Sequence, residues 1–168
     1  MAVTRQHISD VANRIRERKA QARALVGFDG FVDGILHVVD ERSGADAYTR
    51  MEHMRQLSDR IHEAAGKSCN MELVPQVRKL GGNGPILAHG LACLGLNVNY
   101  LGALGDESIV DVFEPLRDRC ENVFSLEEPG HTQALEFNDG KVMLGRMEHL
   151  KGVNPKRLRD RVSRDRLS

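Results

Sequence analysis

The stretch KLGGNGPILAHG, residues 79–90, packs four glycines and one proline into twelve positions, between an extended segment and an apolar run. Pro85 suits the first turn of a helix, where its missing N–H has no intrahelical partner to lose. Gly95 follows that run, where a helix-ending glycine belongs. Such a segment predicts either a tight turn or a loop whose backbone approaches a ligand closely. A helix N-terminus there would present free N–H groups, which bind anions or polar oxygens.

Strands and helices alternate around this stretch. Apolar spacing predicts strands over 24–27, 35–39 and 71–80 and from 97, and helices over 5–22, 49–65, 108–120 and from 154. Pro75 places the third of these strands at an edge or a bulge. Asn138-Asp139-Gly140 between two extended runs predicts a β-hairpin. The alternation indicates an α/β protein with a parallel sheet and a two-stranded insertion, and the length of 168 residues suggests one domain.

The composition narrows the functional classes. Lys plus Arg equals Asp plus Glu, 24 each, which argues against a nucleic-acid-binding protein. No stretch approaches the roughly 20 apolar residues of a membrane span. The N-terminus lacks the apolar core of a signal peptide. The odd number of cysteines, three, is typical of a reducing compartment rather than of a disulfide-bonded protein, and Cys93 is expected in the core. We therefore expect a cytoplasmic protein. The histidines show no metal-ligand spacing, so no metal site is predicted.

Two carboxylates, Asp29 and Asp33, follow the first predicted strand within a glycine-rich segment. Charged groups at a strand end are seldom there for packing. Asp33 in particular could accept hydrogen bonds from ligand hydroxyls. The alternative is that both are turn-forming aspartates.

Two phosphate-binding motifs are only partly present. A dinucleotide-binding fingerprint would begin at Gly82 and Gly84, but Leu87 stands where its third glycine belongs. Gly66-Lys67-Ser68 matches the end of a P-loop, but a predicted helix precedes it and Ile61 replaces the first glycine. A dinucleotide-binding fragment is therefore the weakest of the functions considered.

The order of motifs resembles the N-terminal half of the ribokinase-like (PfkB) family of sugar and nucleoside kinases. The segments that carry the resemblance are VGFDGFVD, residues 26–33, and GGNGPILAHGLACLGLNVNYLGALGDE, residues 81–107. It extends over about residues 24–150, where HTQALEFNDGKVMLG resembles a lid hairpin of that family. The resemblance implies the N-terminal part of a three-layer α/β/α sandwich with a small β lid. The whole of residues 1–168 is then one truncated domain, with an N-terminal helix over 5–22, core and lid over 24–150, and a charged tail over 151–168.

The resemblance also implies a substrate site. A sugar or nucleoside would lie against the backbone of Gly81 and Gly82, with Asn83 and Asp33 binding its hydroxyls and Asp29 as the second candidate carboxylate. ATP and Mg²⁺ are expected as cofactors of the full-length family, although this chain alone supports neither. Ile86 stands where the family often has a second asparagine.

One family motif is absent. The Gly-Ala-Gly-Asp segment, whose aspartate is the general base, belongs in a C-terminal half that this chain does not reach. No catalytic residue is therefore assigned. We expect a carbohydrate-kinase chain that is inactive alone; the alternative is a non-catalytic sugar-binding or regulatory pseudoenzyme. An open sheet that lacks its later strands predicts self-association, or a partner, at its exposed edge.

Overall fold

A computed structural model describes residues 4–19 and 22–162. Its helices are α1 (Arg5–Lys19), α2 (Met54–Glu63), α3 (Asn83–Cys93), α4 (Glu114–Arg117) and α5 (Pro155–Arg161), with 3₁₀ turns at Asp111–Phe113 and Glu148–Gly152. Its strands are β1 (Arg23–Phe28), β2 (Phe31–Arg42), β3 (Tyr48–Arg50), β4 (Leu73–Gly81), β5 (Asn97–Ala103), β6 (Asn122–Glu127), β7 (Gly130–Phe137) and β8 (Gly140–Arg146). No helix within the described ranges is long and apolar enough to cross a membrane.

The core is a parallel sheet in the order β1-β5-β6, covered by helices on both faces. Side chains alternate between the faces, so Tyr100 and Leu101 on β5 point in opposite directions. Tyr100 packs with α3 and α4 in a cluster that also contains Val26, Ala88, Val98 and Leu116. Leu101 packs with α5 in a second cluster that contains Phe124, Leu126, Leu158 and Val162. The predicted α/β class is therefore confirmed, with helices in the layers above and below the sheet.

The second sheet, here called the lid, has five strands. Four of them run in the order β3-β2-β7-β8, and the fifth, β4, also pairs with β2. The lid is larger than the two-stranded insertion expected from sequence, because the 12-residue strand β2 pairs with three other strands, β3, β4 and β7. Leu57 of helix α2, together with Met51 from the segment between β3 and α2, packs in a cluster with Leu36 and Val38 on one face of the lid. The predicted hairpin is confirmed between β7 and β8. Pro75 lies beside a register shift between β2 and β4, as predicted.

Several boundaries differ from the sequence-based expectations. Residues 49 and 50 belong to β3 rather than to the start of the predicted helix, because Thr49 and Arg50 pair with Glu41 and Val39 of β2. Strand β6 was not predicted, and the helix expected over 108–120 contracts to a 3₁₀ turn followed by α4. Cys93 is exposed, so its expected core position was wrong. The helix predicted from residue 154 is confirmed as α5.

The charged tail also differs from expectation over residues 151–162. Leu158 and Val162 of this segment pack against β5 and β6, so the segment is not simply a solvated tail. Residues 163–168 of the predicted tail, and residues 20–21 of the predicted N-terminal helix, lie outside the described ranges.

Candidate active site

The glycine-rich turn joins β4 of the lid to helix α3, and Asp29 of β1's C-terminal end fastens it in place. The two carboxylate oxygens of Asp29 accept hydrogen bonds from the backbone N–H groups of Asn83 and Gly84, each at 2.8 Å. Pro85 has no N–H, and the N–H of Ile86 bonds to the Gly82 carbonyl. Every N–H in the first turn of α3 is therefore accounted for within the protein.

The glycines are needed because this carboxylate lies so close. Gly82 has φ of 94°, a backbone conformation that side-chain-bearing residues rarely adopt. A Cβ at Gly82 would lie 2.9 Å from Asp29 Oδ2, and one at Gly84 would lie 2.5 Å from Asp29 Oδ1. The sequence predicted either a tight turn or a loop whose backbone approaches a ligand. The structure has a tight turn, and the group that its backbone approaches is the Asp29 carboxylate of the protein itself.

Tyr100 on β5 contacts the same end of β1. Its hydroxyl donates a hydrogen bond to the backbone carbonyl of Asp29, and its side chain is fully buried. Burial, followed by the nearby Asp29 carboxylate, raises the pKa of Tyr100 well above its ordinary value. The hydroxyl therefore remains protonated and acts as a permanent donor to this carbonyl.

Asp33, four residues further along the chain, has different surroundings. It lies on β2, is partly buried, and its carboxylate rests against the α-carbon of Gly81, where any Cβ would overlap it. Among the described residues, no hydrogen bond or ion pair engages this carboxylate. Its acceptor capacity is therefore available to a ligand at the start of the glycine turn. The Asn83 residue is exposed two positions further along that turn.

The structure thus brings the five predicted residues to one turn but divides them into two groups. Asp29, Gly82 and the backbone of Asn83 form the fastening. Asp33 and Gly81 form the neighbouring open group. Substrate binding by any of them stays a prediction, and the observed role of Asp29 is to hold α3.

Two residues that were not predicted flank Asp33 across the lid. Lys79 lies directly opposite on β4 and Thr132 lies opposite on β7. Paired residues in neighbouring strands share a face of the sheet, so both belong to the surface that carries the Asp33 carboxylate. The hairpin signal located β7, but nothing local in the sequence gave its register against β2.

A second charged cluster lies at the same end of the core sheet. Asp106, just after β5, bonds to the guanidinium groups of Arg157 and Arg161 on α5, and Arg157 also bonds Glu127 at 2.9 Å. The hydrogen bond from Arg157 is the main cause that lowers the pKa of Asp106 below its ordinary value. These contacts attach α5 to the ends of β5 and β6.

Comparison with known families decides what kind of protein carries this arrangement. The sequence model of the prokaryotic ketohexokinase family matches residues 2–168. The chain belongs to this family. It is 32% identical over 157 residues to the ketohexokinase of Haloferax volcanii, an alignment that covers 90% of the chain and 40% of that relative. The chain therefore spans about two fifths of the length of the ketohexokinase that it matches. The resemblance to sugar kinases drawn from the sequence motifs is confirmed.

Solved structures of sugar kinases overlap part of the fold. A putative sugar kinase from Clostridium perfringens gives a TM-score of 0.49 at 15% identity, covering 83% of this chain and 40% of that one. The fructokinase of Xylella fastidiosa with bound ATP gives 0.47 at 12% identity, covering 76% and 34%. The ribokinase of Cryptococcus neoformans in complex with ADP gives 0.42 at 18% identity, covering 75% and 34%.

Membership in the ketohexokinase family raises the question of where ATP and Mg²⁺ would bind. The N-terminus of α3 does not fit a nucleotide phosphate, because the Asp29 carboxylate already occupies its N–H groups. Within residues 4–19 and 22–162, no group of three or more His, Cys, Asp or Glu side chains is arranged to hold a metal ion.

Proposed function

We propose that this chain is the sugar-binding part of an ATP-dependent ketohexose kinase, that it acts in the cytoplasm, and that it is inactive alone. The observation that carries the proposal is the Asp33 carboxylate. It lies partly buried against Gly81, and no hydrogen bond engages it among the described residues. Family membership supplies the class of substrate. The three free thiols of Cys69, Cys93 and Cys120 support a reducing compartment.

The chemistry of a sugar suits these groups. An ionised carboxylate is an acceptor only and can take hydrogen bonds from two neighbouring hydroxyls at once. The Asn83 amide can both donate and accept, so it can bind a third hydroxyl of either orientation. A ligand without a hydroxyl at the matching position leaves the carboxylate unpaired, which costs more than the bond itself contributes. The site would thus discriminate by hydroxyl position.

The requirements of phosphoryl transfer support the proposal that the chain alone is inactive. Such a reaction depends on positioning and on neutralising the charge of the phosphates. The N–H groups that could bind phosphate at α3 are engaged by Asp29. We therefore do not place the nucleotide at the first turn of α3.

Calorimetric titration of the purified 168-residue chain tests the proposal. D-fructose, D-glucose, D-ribose and adenosine are titrated in turn, and we expect D-fructose to bind most tightly. Asp33→Asn should weaken fructose binding at least about tenfold, the size of one charged hydrogen bond. Asp118→Asn is the matched control, because Asp118 is exposed and its carboxylate pairs with the adjacent Arg117 on α4.

Each outcome bears on the proposal. Unchanged fructose binding in Asp33→Asn would refute the assigned site, provided that circular dichroism shows the fold intact. Tighter binding of adenosine than of D-fructose would reassign the substrate class. A coupled assay with ATP and Mg²⁺ should show no turnover by the chain alone, and sustained turnover would contradict its inactivity.

A further inference from the structure

Thr132 on β7 is buried, yet its hydroxyl is unused by the protein. The residue is 7% exposed and, with Glu127, is one of the two buried polar residues in the described part of the chain. Glu127 bonds to Arg157, whereas no hydrogen bond joins the Thr132 hydroxyl to another described residue. The hydroxyl is not enclosed either, because no buried side-chain oxygen or nitrogen in the described ranges lacks a partner. Buried polar groups are as a rule hydrogen-bonded, so this open hydroxyl is available to a ligand.

The Thr132 hydroxyl shares a face of the lid with the Asp33 carboxylate. The two residues are partners in the parallel register of β2 and β7, so their side chains leave the sheet on the same side. Neighbouring strands lie about 4.8 Å apart. A ligand with two adjacent hydroxyls can therefore contact the carboxylate and the threonine hydroxyl at once.

Phe31 provides an apolar surface in the next row of this face. It lies two positions before Asp33 on β2 and pairs with Gly130 of β7. Its ring occupies the place that a side chain at Gly130 would take, since a Cβ there would lie 2.6 Å from Phe31 Cε1. The ring therefore lies over β7, and Phe31 remains partly exposed. Small-molecule sites typically combine such apolar or aromatic walls with a few polar groups that fix the orientation of the ligand.

We propose that Thr132 and Phe31 are specificity-determining residues of the sugar site that contains Asp33. The Thr132 hydroxyl bonds to a sugar hydroxyl adjacent to one that Asp33 binds, and the C–H groups on one face of the sugar ring pack against Phe31. The carboxylate only accepts hydrogen bonds, whereas the threonine hydroxyl can donate or accept, so the pair selects a vicinal diol. This inference deepens the proposed function and rests on it.

Thr132→Val tests the hydrogen bond, because it removes the hydroxyl and keeps the branched shape of the side chain. Calorimetric titration should show D-fructose binding weakened about three- to tenfold, the effect of one neutral hydrogen bond. The melting temperature should not fall, because the hydroxyl has no partner in the protein to lose. A lowered melting temperature with unchanged fructose binding would assign Thr132 a structural role and overturn the proposal. Thr49→Val is the matched control, since Thr49 is exposed on β3 and pairs with Glu41.

Analogues that lack one hydroxyl identify the contact of Thr132. The 1-, 3-, 4- and 6-deoxy forms of D-fructose, and 2,5-anhydro-D-mannitol, which lacks the anomeric hydroxyl, are titrated against the unmodified chain and Thr132→Val. For one analogue, the loss from the missing hydroxyl and the loss from the substitution should not add, because both remove the same hydrogen bond. Additive losses for every analogue would overturn the assigned contact.

Phe31→Leu tests the aromatic surface, because it removes the ring and keeps an apolar side chain. Fructose binding should weaken on the order of threefold. Phe28→Leu is the matched control, since Phe28 is 58% exposed on β1, outside the lid. Unchanged binding in Thr132→Val or in Phe31→Leu, with binding weakened in Asp33→Asn, would overturn this inference and leave the proposed function standing. Absence of fructose binding by the unmodified chain would overturn both.

Discussion

At the scale of single residues, Asp29 and Asp33 show how two carboxylates four positions apart acquire different roles. Asp29 lies just past the end of β1 and reaches α3, where two N–H groups engage it. Asp33 has entered the lid, and its nearest neighbour on the turn is the bare α-carbon of Gly81. One carboxylate is used to build the turn, and the other is left available beside it.

Replacing each aspartate by asparagine should separate the two roles. Asp29→Asn should lower the free energy of unfolding by about 1.5–3 kcal/mol, the range for hydrogen bonds to a charged group, because it weakens both bonds to α3. Asp33→Asn should change stability by less than about 0.5 kcal/mol. Urea unfolding followed by circular dichroism measures both. Equal destabilisation by the two variants would contradict the division of roles.

The family resemblance predicted that both aspartates lie near the glycine turn, but it did not predict this division of roles. Both were correctly placed after the first strand and near the Gly81-Gly82-Asn83 turn. The partners of Asp29 lie 54 and 55 residues away in sequence, and no local pattern specifies which of two nearby carboxylates will meet them.

Cysteine reactivity offers a second test at the residue scale. Cys120 is partly buried against the core, and burial raises its pKa to about 11. Because the thiolate is the reactive form, Cys120 should react with a disulfide reagent at pH 7.5 about 100-fold more slowly than an ordinary thiol. Cys69 and Cys93 are exposed and should react first. Mass spectrometry after timed labelling identifies each site, and equal rates at all three would show that Cys120 is accessible.

At the scale of elements, the two ends of helix α3 are fixed in different ways. Its first turn is held by contacts with Asp29, and its last turn is ended by the local backbone geometry of Gly95. Gly95 has φ of 81°, and the N–H of Leu96 bonds to the Leu91 carbonyl, so the helix ends on a glycine in the left-handed conformation. This end follows a local rule and was predicted. The N-terminal fastening by Asp29 is a long-range contact and was not.

Two glycines of α3 provide a matched pair of substitutions. Gly84→Ala should destabilise the protein by about 1–3 kcal/mol, because its Cβ would lie 2.5 Å from Asp29 Oδ1 and 3.0 Å from the Tyr100 hydroxyl. Gly90→Ala meets no atom within 4 Å and should stabilise the helix by about 0.5–1 kcal/mol. Thermal unfolding distinguishes these opposite signs. A stabilising Gly84→Ala would mean that the close approach of Asp29 does not persist in solution.

The attachment of α5 should depend on acid. The folded pKa of Asp106 lies below its unfolded value, chiefly through Arg157, so its stabilising contribution is complete above the unfolded pKa of about 3.9. The contribution declines as the pH falls through the lower, folded value. Stability should therefore fall between pH 5 and pH 2, and Asp106→Asn should reduce that fall.

Urea unfolding at a series of pH values measures this dependence. Asp118→Asn serves as the control, since Asp118 is the exposed residue that follows α4 and its carboxylate pairs with Arg117 rather than with α5. An unchanged pH profile in Asp106→Asn would show that the cluster with Arg157 and Arg161 does not stabilise the fold.

Elements set by pairing were the hardest to predict. The helical pattern predicted from residue 49 continues into α2, yet Thr49 and Arg50 belong to β3 because they pair with β2, and Met51 is buried in the cluster that contains Leu57 of α2. Strand β6 is short and follows α4 closely, and it is defined by its parallel register against β5. Both outcomes depend on contacts between distant parts of the chain, which residue spacing does not report.

At the scale of the whole molecule, a core sheet and a lid are built from one interleaved chain. The alternation of strands and helices was sufficient to predict the α/β core. The size of the lid was not predicted, because β2 recruits β3, β4 and β7 from three separate segments. The charge pattern predicted a solvated tail over the residues that form α5. This prediction failed because a helix with four basic residues can still pack Leu158 against the core sheet.

The route of the chain at the glycine turn has an evolutionary consequence. Residues 30–82 leave the core beside Asp29 and come back to it there, since Phe31 pairs with Gly81 where the excursion starts and finishes. A segment whose two ends meet can lengthen, shorten or be exchanged between related proteins with little effect on the layers beneath. Exchange of this segment would therefore leave the core sheet unaltered, and the Asp29 carboxylate would hold the new segment at its point of return.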